Sequence, residues 1–337
     1  MNKFAKLEAV ASFLPNNVEK NRDLSVQYPD WDVNRVADKI GIEQRHIAGP
    51  EEYSSTLATE AAGRLFNNSN LEPQDVDYLI LVTQSPDFFL PTTAALVHRD
   101  LGLREDCGAV DLNLGCSGYV AGLGFAKGLI DSGQSANVLL ITSDTYSKFV
   151  NPADRAVRTI FGDGATATWV SSNGTANSIG GVLTGTDGNG AGHLLVPSGG
   201  LRNGEDLNPK STASARGLIP SRFDLFMDGR EIFNFTLRIS GDFLGRLLAE
   251  REIDSVSIDY YIFHQANAFM ISHLREKLNI PEEKVPLLMS DFGNTVSGTI
   301  PMVLERLFES GTLKEKQRVV LFGFGVGLSW AGTVLEI

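Results

Sequence analysis

The sequence predicts an α/β protein made of two similar halves packed face to face. Apolar, strand-like segments alternate with segments of helical periodicity along the chain, which is typical of βαβ units that form a mostly parallel sheet. The second half then repeats the first. Cys116 lies 17 positions before Gly133, and Asn294 lies 17 positions before Gly311. Two unrelated α/β segments can share such strings by chance, but the matched spacing favours a duplicated domain.

The elements of the first half follow from periodicity. Residues 76–83 are apolar almost throughout and predict a buried strand, whereas residues 55–67 have apolar positions at helical spacing around an alanine-rich interior. The other expected strands lie at 1–14, in the segment from 109 that leads to Cys116, at 137–142 and at 161–170. The other expected helices lie at 23–41, at 92–101 and directly after Cys116.

The repeat divides the chain into an N-terminal half, 1–175, and a C-terminal half, 176–337. Residues 185–230 break the pattern, because they are rich in glycine, serine and asparagine and have little periodicity. A loop of this length in a compact domain is usually functional or disordered. The sequence leaves two interpretations open, a cap over a site and an irregular surface excursion.

Composition excludes several classes of protein. The net charge of −12 argues against a nucleic-acid partner, since phosphate neutralisation needs a basic face. No run of 18 or more apolar residues is present, so we expect no membrane span, and the N-terminus does not resemble a signal peptide. Two cysteines, Cys107 and Cys116, do not make a disulfide framework. These features together predict a cytoplasmic protein.

Cys116 is the first candidate for chemistry. It stands in a turn between a predicted strand and a glycine- and alanine-rich helix. A thiol there faces the positive end of the helix, an environment that lowers the pKa of a cysteine. Most free cysteines are simply small buried hydrophobes. From this stretch alone, a nucleophile and a core residue are equally good interpretations.

Two polar residues of the second half strengthen the first interpretation. His264 directly follows a predicted buried strand, and Asn294 occupies the position that matches Cys116 in the repeat. Open α/β sheets place their ligand sites at the carboxyl ends of strands. We therefore expect Cys116, His264 and Asn294 to meet in one crevice between the halves.

Separated motifs along almost the whole chain resemble one family. Gly-Cys-Ser-Gly-Tyr around Cys116, His-Gln-Ala-Asn at 264–267, Phe-Gly-Asn-Thr at 292–295 and Phe-Gly-Val-Gly-Leu-Ser-Trp at 324–330 occur in order. They resemble the blocks of thiolase-fold condensing enzymes, most closely β-ketoacyl-acyl-carrier-protein synthase III. The resemblance implies a thiolase-like fold, with the duplicated halves forming αβαβα layers and mostly parallel mixed sheets.

The resemblance also implies a reaction. Cys116 would take an acyl group from acyl-CoA, with the backbone N–H groups of Cys116 and Val326 as the oxyanion hole. A malonyl thioester on acyl carrier protein would then lose CO₂, and His264 and Asn294 would stabilise the enolate. The expected product is a β-ketoacyl thioester. The reaction needs neither a metal nor a cofactor beyond its thioester substrates.

Substrate-binding residues and a homodimer are implied in the same way. Arg155 and Trp31 match residues that sandwich the adenine of coenzyme A, although extra residues separate Trp31 from the Gly41-Ile42 block. Family homodimers would place the segment Asp87–Pro91, which includes Leu90, in the neighbour's acyl pocket. The remaining implied substrate contacts are Asn267, Phe161 and Phe324.

The chain departs from the family at several positions. Val326 replaces the middle glycine of a Gly-Gly-Gly turn, and Phe269 and Asn234 stand where the family presents an arginine and a lysine to the acidic carrier protein. Losing these cations weakens electrostatic steering. Three cations are candidates to compensate for this loss: Arg238, Arg275 and Lys277. The changes favour a member that acts in a specialised lipid, polyketide or glycan pathway.

Two other functions stay open at this point. The acyl group on Cys116 could pass to a hydroxyl or an amine, or the chain could be a non-catalytic subunit of a heterodimer. The complete set of Cys116, His264 and Asn294 favours condensation over both.

Overall fold

The structure, a computed structural model, describes residues 4–155, 157–201 and 223–337. Two large β-sheets form its frame. The first has the strand order β1-β7-β6-β4-β5 and the second has the order β11-β12-β13-β8. The strands of the first sheet are β1 (Lys6–Phe13), β4 (Tyr78–Val82), β5 (Gly108–Leu112), β6 (Asn137–Asp144) and β7 (Gly164–Ser171). Those of the second are β8 (Leu183–Thr186), β11 (Tyr260–Phe263), β12 (Arg318–Gly325) and β13 (Ser329–Glu336). Two small ladders pair β2 (Val18–Lys20) with β3 (Gln44–His46), and β9 (Leu194–Leu195) with β10 (Phe226–Met227).

The two large sheets have the same internal plan. In the first, β1, β7 and β6 are mutually antiparallel neighbours and β6 then pairs in parallel with β4. In the second, β8, β13 and β12 repeat the antiparallel pairings and β12 pairs in parallel with β11. The first sheet continues with a parallel pairing of β4 to β5, the strand that leads to Cys116. The segment before Asn294, which matches β5 in the repeat, forms no strand.

The sheets are mixed, so the expectation of mostly parallel sheets needs correction. Three of the seven ladders in the two sheets are parallel and four are antiparallel. Parallel neighbours need a long crossover, usually a helix. No long helix separates β6 from β7 in the described chain, and β12 turns into β13 through three residues, so both pairs fold back antiparallel.

Eight helices complete the described part of the chain. They are α1 (Asn21–Gln27), α2 (Val33–Ile40), α3 (Ser54–Asn68), α4 (Thr93–Asp100), α5 (Gly118–Asp131), α6 (Gly229–Ala249), α7 (Ala268–Lys277) and α8 (Thr299–Glu309). Helices α3 and α4 pack on the outer face of the first sheet, and α6 packs on the outer face of the second beside α7. Helices α5 and α8 each contact strands of both sheets. The result is the expected αβαβα stack.

Helix α5 is the centre of this stack, and its composition explains why. A helix buried between two sheets must be apolar on several sides and thin enough for close packing. Most of its residues from Gly118 to Leu123 are fully buried. A Cβ on Gly122 would lie 2.7 Å from Leu140 Cδ1 of β6, closer than real carbon contacts allow. The glycine content predicted from the sequence thus lets the first sheet approach the helix that begins beside Cys116.

The irregular segment 185–230 is only partly described. Its N-terminal part contains the end of β8, a 3₁₀ turn at Gly188–His193 and β9, and its C-terminal part contains β10. The stretch 202–222 lies outside the described residues. Elsewhere in the described chain, no helix combines the length and apolarity needed to cross a membrane.

Candidate active site

Cys116, His264 and Asn294 line one cavity of about 630 Å³ between the two halves. The expectation that the sheets bring these three side chains together is therefore met in the structure. Phe161, Phe324 and Asn267, three of the implied substrate contacts, line the same cavity. Both described ends of the irregular segment also contribute, Leu194 on one side and 225–230 on the other. In the described chain this segment covers part of the site.

The Cys116 turn is held from below by β12. Cys116 precedes Ser117, which caps α5, so its thiol lies at the N-terminal end of that helix as expected. A Cβ on Gly325 would lie 2.9 Å from Cys116 Sγ, and one on Gly323 would lie 2.5 Å from the Cys116 carbonyl oxygen. Two glycines on one face of β12 therefore allow this strand to pass directly against the nucleophile candidate.

The expectation of a lowered thiol pKa is wrong for the unliganded site. Burial, and secondarily the nearby Asp144 carboxylate, raise the pKa of Cys116 to about 12. Only 6% of Cys116 is exposed, so the cost of a desolvated thiolate outweighs the effect of the helix end. The resting site thus holds a protonated thiol. A carbonyl bound in the oxyanion hole has to assist its deprotonation.

His264 follows β11 and is held in one orientation. Its backbone N–H donates to the Phe322 carbonyl at 3.0 Å, and its Nδ1 lies 2.7 Å from Thr299 Oγ1 at the start of α8. Thr299 Oγ1 also accepts a hydrogen bond from the Gln265 N–H at 3.2 Å. Since the alternative acceptor for the threonine hydroxyl, the Val296 carbonyl, is 3.5 Å away, the shorter contact assigns the hydroxyl proton to Nδ1. The imidazole proton then sits on Nε2.

Burial also fixes the charge of His264. The ring is almost fully buried, and this lowers the pKa of His264 to about 3, so the imidazole is neutral over the physiological range. A neutral imidazole with its proton on Nε2 donates a hydrogen bond without carrying a charge. His264 is therefore a hydrogen-bond donor rather than a cationic group in this cavity.

Asn294 sits in a turn that is fastened to the first half. Its N–H donates to the Ile160 carbonyl at 2.9 Å, and its carbonyl accepts from the Gly162 N–H at 3.0 Å. Its side-chain Oδ1 accepts from the Val296 N–H at 2.9 Å. Because Oδ1 is engaged in this way, the Nδ2 group is the end of the amide left to face a ligand.

Val326 stands where the implied oxyanion hole requires it. It follows Gly325 directly at the end of β12, and its carbonyl accepts from Ser329 Oγ at 2.7 Å. The Val326 N–H has no hydrogen-bond acceptor among the described residues. The valine side chain packs towards Gly115, beside the nucleophile turn. The added bulk thus lies against backbone that has no side chain.

Trp31 and Arg155 meet, despite the extra residues before the Gly41 block. The guanidinium carbon of Arg155 lies 5.1 Å from the Trp31 ring centre, and Arg155 Nη1 donates to the Asp30 carbonyl at 3.4 Å. Tyr28 stacks on the Trp31 ring with centroids 4.3 Å apart. A base stacked on both groups needs about 7 Å between them, twice the usual van der Waals separation. The pair must open to admit an adenine.

Leu90 does not contribute to the cavity of its own chain. Its side chain is 83% exposed, and the neighbouring Phe88 and Phe89 are 59% and 76% exposed. The three form an apolar tip on the loop that follows β4.

The surface that departs from the family is aromatic. Phe269 stacks on Phe233 and lies 4.2 Å from the His273 ring centre, with Lys39 Nζ 4.3 Å above it. The cations considered as replacements are engaged elsewhere: Arg238 pairs with Asp187, Arg275 lies near Glu276 and Glu282, and Lys277 donates to the Leu237 carbonyl. Exposed ion pairs of this kind are weak and can exchange partners.

Three positioning residues escaped the sequence analysis. They are Thr299 behind His264, and the Asp144–Ser297 pair behind Asn294. Asp144 ends the buried strand β6, so the rule that sites form at strand ends could have found it. No local signal marks Thr299 or Ser297. Among the described residues no group of histidine, cysteine and carboxylate side chains is arranged to hold a metal ion.

The site and the fold together define a class. Two thiolase-like α/β halves that close a cysteine, a histidine and an asparagine into one cavity make a condensing acyltransferase. Comparisons with known proteins specify it further. The 3-oxoacyl-[acyl-carrier-protein] synthase III signature matches residues 110–188, and the C-terminal signature of the same family matches residues 248–337.

Relatives match over the whole chain. The β-ketoacyl-[acyl-carrier-protein] synthase III of Caldanaerobacter subterraneus subsp. tengcongensis is 32% identical over 332 residues, which are 98% of this chain and 97% of that protein. A crystal structure of a 3-oxoacyl-(acyl-carrier-protein) synthase III has a TM-score of 0.94 at 44% identity and covers 99% of this chain and 100% of its own. The synthase from Burkholderia xenovorans LB400 has a TM-score of 0.91 at 34% identity, covering 100% and 95%. The chain belongs to the β-ketoacyl-acyl-carrier-protein synthase III family.

Proposed function

We propose that this chain joins an acyl group from acyl-CoA to the two-carbon unit of malonyl-acyl carrier protein, with Cys116, His264 and Asn294 as its catalytic residues. The observation that carries the proposal is their convergence in one cavity from three different elements of two halves. Each has the chemistry that one stage of a decarboxylating condensation needs.

In the first stage Cys116 Sγ attacks the thioester carbonyl of acyl-CoA. The bond between the carbonyl carbon and the CoA sulfur breaks, and the thiol proton of Cys116 leaves with the CoA thiolate as free CoA. The tetrahedral oxyanion accepts hydrogen bonds from the N–H groups of Cys116 and Val326. Since the resting thiol is protonated, acylation depends on this assistance.

In the second stage the malonyl thioester binds with its carbonyl oxygen near His264 Nε2 and Asn294 Nδ2. The bond to its carboxylate breaks, CO₂ leaves, and the electron pair forms an enolate on that oxygen. Two neutral donors stabilise the enolate without protonating it, because the pKa of His264 is lowered to about 3. The enolate carbon attacks the acyl-enzyme, and the thiolate of Cys116 is released.

Coenzyme A and carrier protein are the proposed thioester carriers, and Arg155 and Trp31 the proposed adenine contacts. Asn267, Phe161 and Phe324 lie along the cavity that a pantetheine arm would follow. Carrier protein is the less strongly supported of the two carriers, because the mouth carries Phe269 and Asn234 instead of cations. Support for it comes from the names of the relatives.

A homodimer is the proposed assembly. The apolar tip of Phe88, Phe89 and Leu90 is too large to be left in water without a function, and β5 is an edge strand with one unpaired side in this chain. A second copy could cover both features, and Leu90 would then close the neighbour's acyl pocket.

Two further assignments belong to the same proposal. The boundary between the halves falls near residue 175, between β7 of the first sheet and β8 of the second. The cytoplasm is the proposed compartment, in agreement with the two free thiols Cys107 and Cys116.

The proposal is tested in two steps with the purified protein. Incubation with a panel of acyl-CoAs, followed by intact-mass measurement, is expected to give one acyl adduct that Cys116→Ala abolishes. Addition of malonyl-acyl carrier protein is then expected to remove the adduct with release of CO₂ and a β-ketoacyl product. An acyl-enzyme that discharges only to alcohols or amines refutes condensation. The absence of any adduct supports the non-catalytic subunit instead.

A further inference from the structure

The turn that carries Asn294 has a strained backbone. Val296, two residues on, has a φ of +57°. A β-branched residue rarely adopts this left-handed region, and such a conformation costs about 1–3 kcal/mol when it occurs. It persists only where the surroundings hold it. The Val296 N–H is the group that binds Asn294 Oδ1, so the strained residue is also the one that orients the catalytic amide.

A buried carboxylate holds this turn from the first half. Asp144, at the end of β6, is fully buried. Its Oδ2 accepts hydrogen bonds from the Ser297 N–H at 3.3 Å and from the Ser297 hydroxyl. Its Oδ1 accepts from the Gln84 N–H at 2.8 Å, on the loop after β4. Ser297 is the residue directly after Val296, so Asp144 grips the turn next to its strained point.

We propose that Asp144 is a positioning residue for the decarboxylation and condensation stage: through Ser297 it keeps Val296 in its left-handed conformation, and through Val296 it fixes the Asn294 amide with Nδ2 towards the enolate oxygen. The proposal rests on the proposed function, since it assigns a role within that reaction.

The same carboxylate disfavours the other stage. Asp144 lies close enough to Cys116 for its negative charge to oppose formation of the thiolate and to raise the pKa of that thiol. A group that served acylation would have the opposite effect on the thiol. The structure therefore retains an anion near its nucleophile for a benefit at another point, and the hydrogen bonds of Asp144 lead to the Asn294 turn.

The opposed effects give a test that a merely structural role does not pass. Asp144→Asn keeps the volume but removes the charge and replaces one acceptor oxygen by an NH₂ group, which cannot accept from the Ser297 N–H. Acylation of Cys116 by acyl-CoA, followed by intact mass in quenched samples, is expected to be as fast as in the wild type or faster. Discharge of the purified acyl-enzyme by malonyl-acyl carrier protein is expected to slow at least tenfold.

Ser297→Ala is the second variant, because Asp144→Asn can fail to fold. It removes the hydroxyl bond and leaves the backbone bond and the charge in place. We expect unchanged acylation and a several-fold slower discharge, with more CO₂ release relative to β-ketoacyl product if the enolate is badly placed.

Two matched controls separate positioning from general damage. Asp163 is a second fully buried carboxylate that accepts from a serine hydroxyl and two backbone N–H groups, of Ser147 and Ala48. Asp163→Asn is expected to change both stages by the same factor. Ser143→Ala removes the bond from the Ser143 hydroxyl to the Ser54 carbonyl, one residue before Asp144 on β6, and is expected to leave the ratio of the two rates unchanged.

The outcomes distinguish this inference from the function on which it rests. If the wild type neither acylates nor condenses, the proposed function is wrong. If the wild type performs both stages and Asp144→Asn and Ser297→Ala slow both equally, or slow neither, the positioning role is wrong while the function stands.

Discussion

The two turns that carry Cys116 and Asn294 occupy matching places in the repeat, yet they are built differently. The Cys116 turn joins the regular strand β5 to the 14-residue helix α5 and packs against the glycines of β12. The Asn294 turn follows a segment without a strand and contains two residues with positive φ, Gly293 at +71° and Val296 at +57°. One turn is held by regular structure and close packing. The other is held by hydrogen bonds from the opposite half.

The difference matches what each stage demands. A nucleophile needs a fixed sulfur and an accessible carbonyl path, which a strand, a turn and a helix supply through their backbone alone. An enolate needs side-chain donors aimed at one oxygen, so the amide and imidazole must themselves be oriented by partners. A duplicated scaffold thus supplies two strand-end positions, and the second has lost its strand to become a site of oriented side chains.

Asn294→Ala gives the largest contrast between the turns. Removal of one hydrogen-bond donor to a developing oxyanion costs about 10²–10³ in rate, and we expect the discharge of the acyl-enzyme by malonyl thioester to fall by that factor. Acylation of Cys116 should change only a few-fold. The two rates are measured by rapid-quench mass spectrometry. Asn137→Ala, at the start of β6, is the matched amide control and should preserve both rates. A loss of acylation equal to the loss of discharge would contradict the division of labour.

Gly325→Ala tests the packing that holds the other turn. The added Cβ would lie 2.9 Å from Cys116 Sγ, so either β12 or the thiol must move. A displacement of about 1 Å at a reacting atom can cost 10²-fold, and we expect a loss of acylation of about ten- to hundredfold. Gly128→Ala, in α5 with open space at its Cβ, should leave acylation intact. Normal acylation in Gly325→Ala would show that Cys116 tolerates movement.

Much of this comparison could be predicted from the sequence. Local patterns were sufficient where local structure decides: an apolar strand, glycines and a helix mark the Cys116 turn, and β11 is a buried strand ending at His264. The rule for strand ends together with the 17-residue spacing then predicted that Cys116, His264 and Asn294 meet. The αβαβα stack and the family followed from motifs spread along the chain.

The remaining features depend on contacts between distant segments. Asp144 and Ser297 lie 153 positions apart, and only the packing of the two halves brings them together. The raised pKa of Cys116 follows from burial, which the helix-end argument did not include. The sequence also gave no expectation for the 21-residue helix α6, because attention fell on the irregular segment before it. The mixed sheets reflect connections without helices, whose geometry local periodicity does not encode.

Thr299→Val tests the orientation of the second donor, His264. The change removes the hydroxyl that faces Nδ1, so the proton is no longer restricted to Nε2 and the ring loses its support. A lost hydrogen bond of about 1 kcal/mol corresponds to several-fold in rate, and we expect the discharge step to slow five- to tenfold with acylation unchanged. Thr299→Ser restores the hydroxyl and should recover most of the rate. Equal rates in the valine and serine variants would exclude this role.

The smallest expected effect is on the pH dependence of stability, where the two buried groups of the site act in opposite directions. Burial lowers the pKa of His264 from 6.5 to about 3, so between these values the unfolded chain binds more protons and His264 makes stability fall as the pH falls. Burial raises the pKa of Asp144 from 3.8 to about 7, so in that range the folded chain binds more protons and Asp144 makes stability fall as the pH rises.

Variants of each residue should therefore tilt the stability curve in opposite senses. Unfolding by urea is measured at intervals from pH 4 to pH 7 for the wild type, His264→Gln and Asp144→Asn. Relative to the wild type, His264→Gln should become more stable as the pH falls, whereas Asp144→Asn should become more stable as the pH rises. Differences that do not depend on pH would mean that neither group keeps its buried environment in solution. Tilts of the same sign would place a different titrating group between the Cys116 and Asn294 turns.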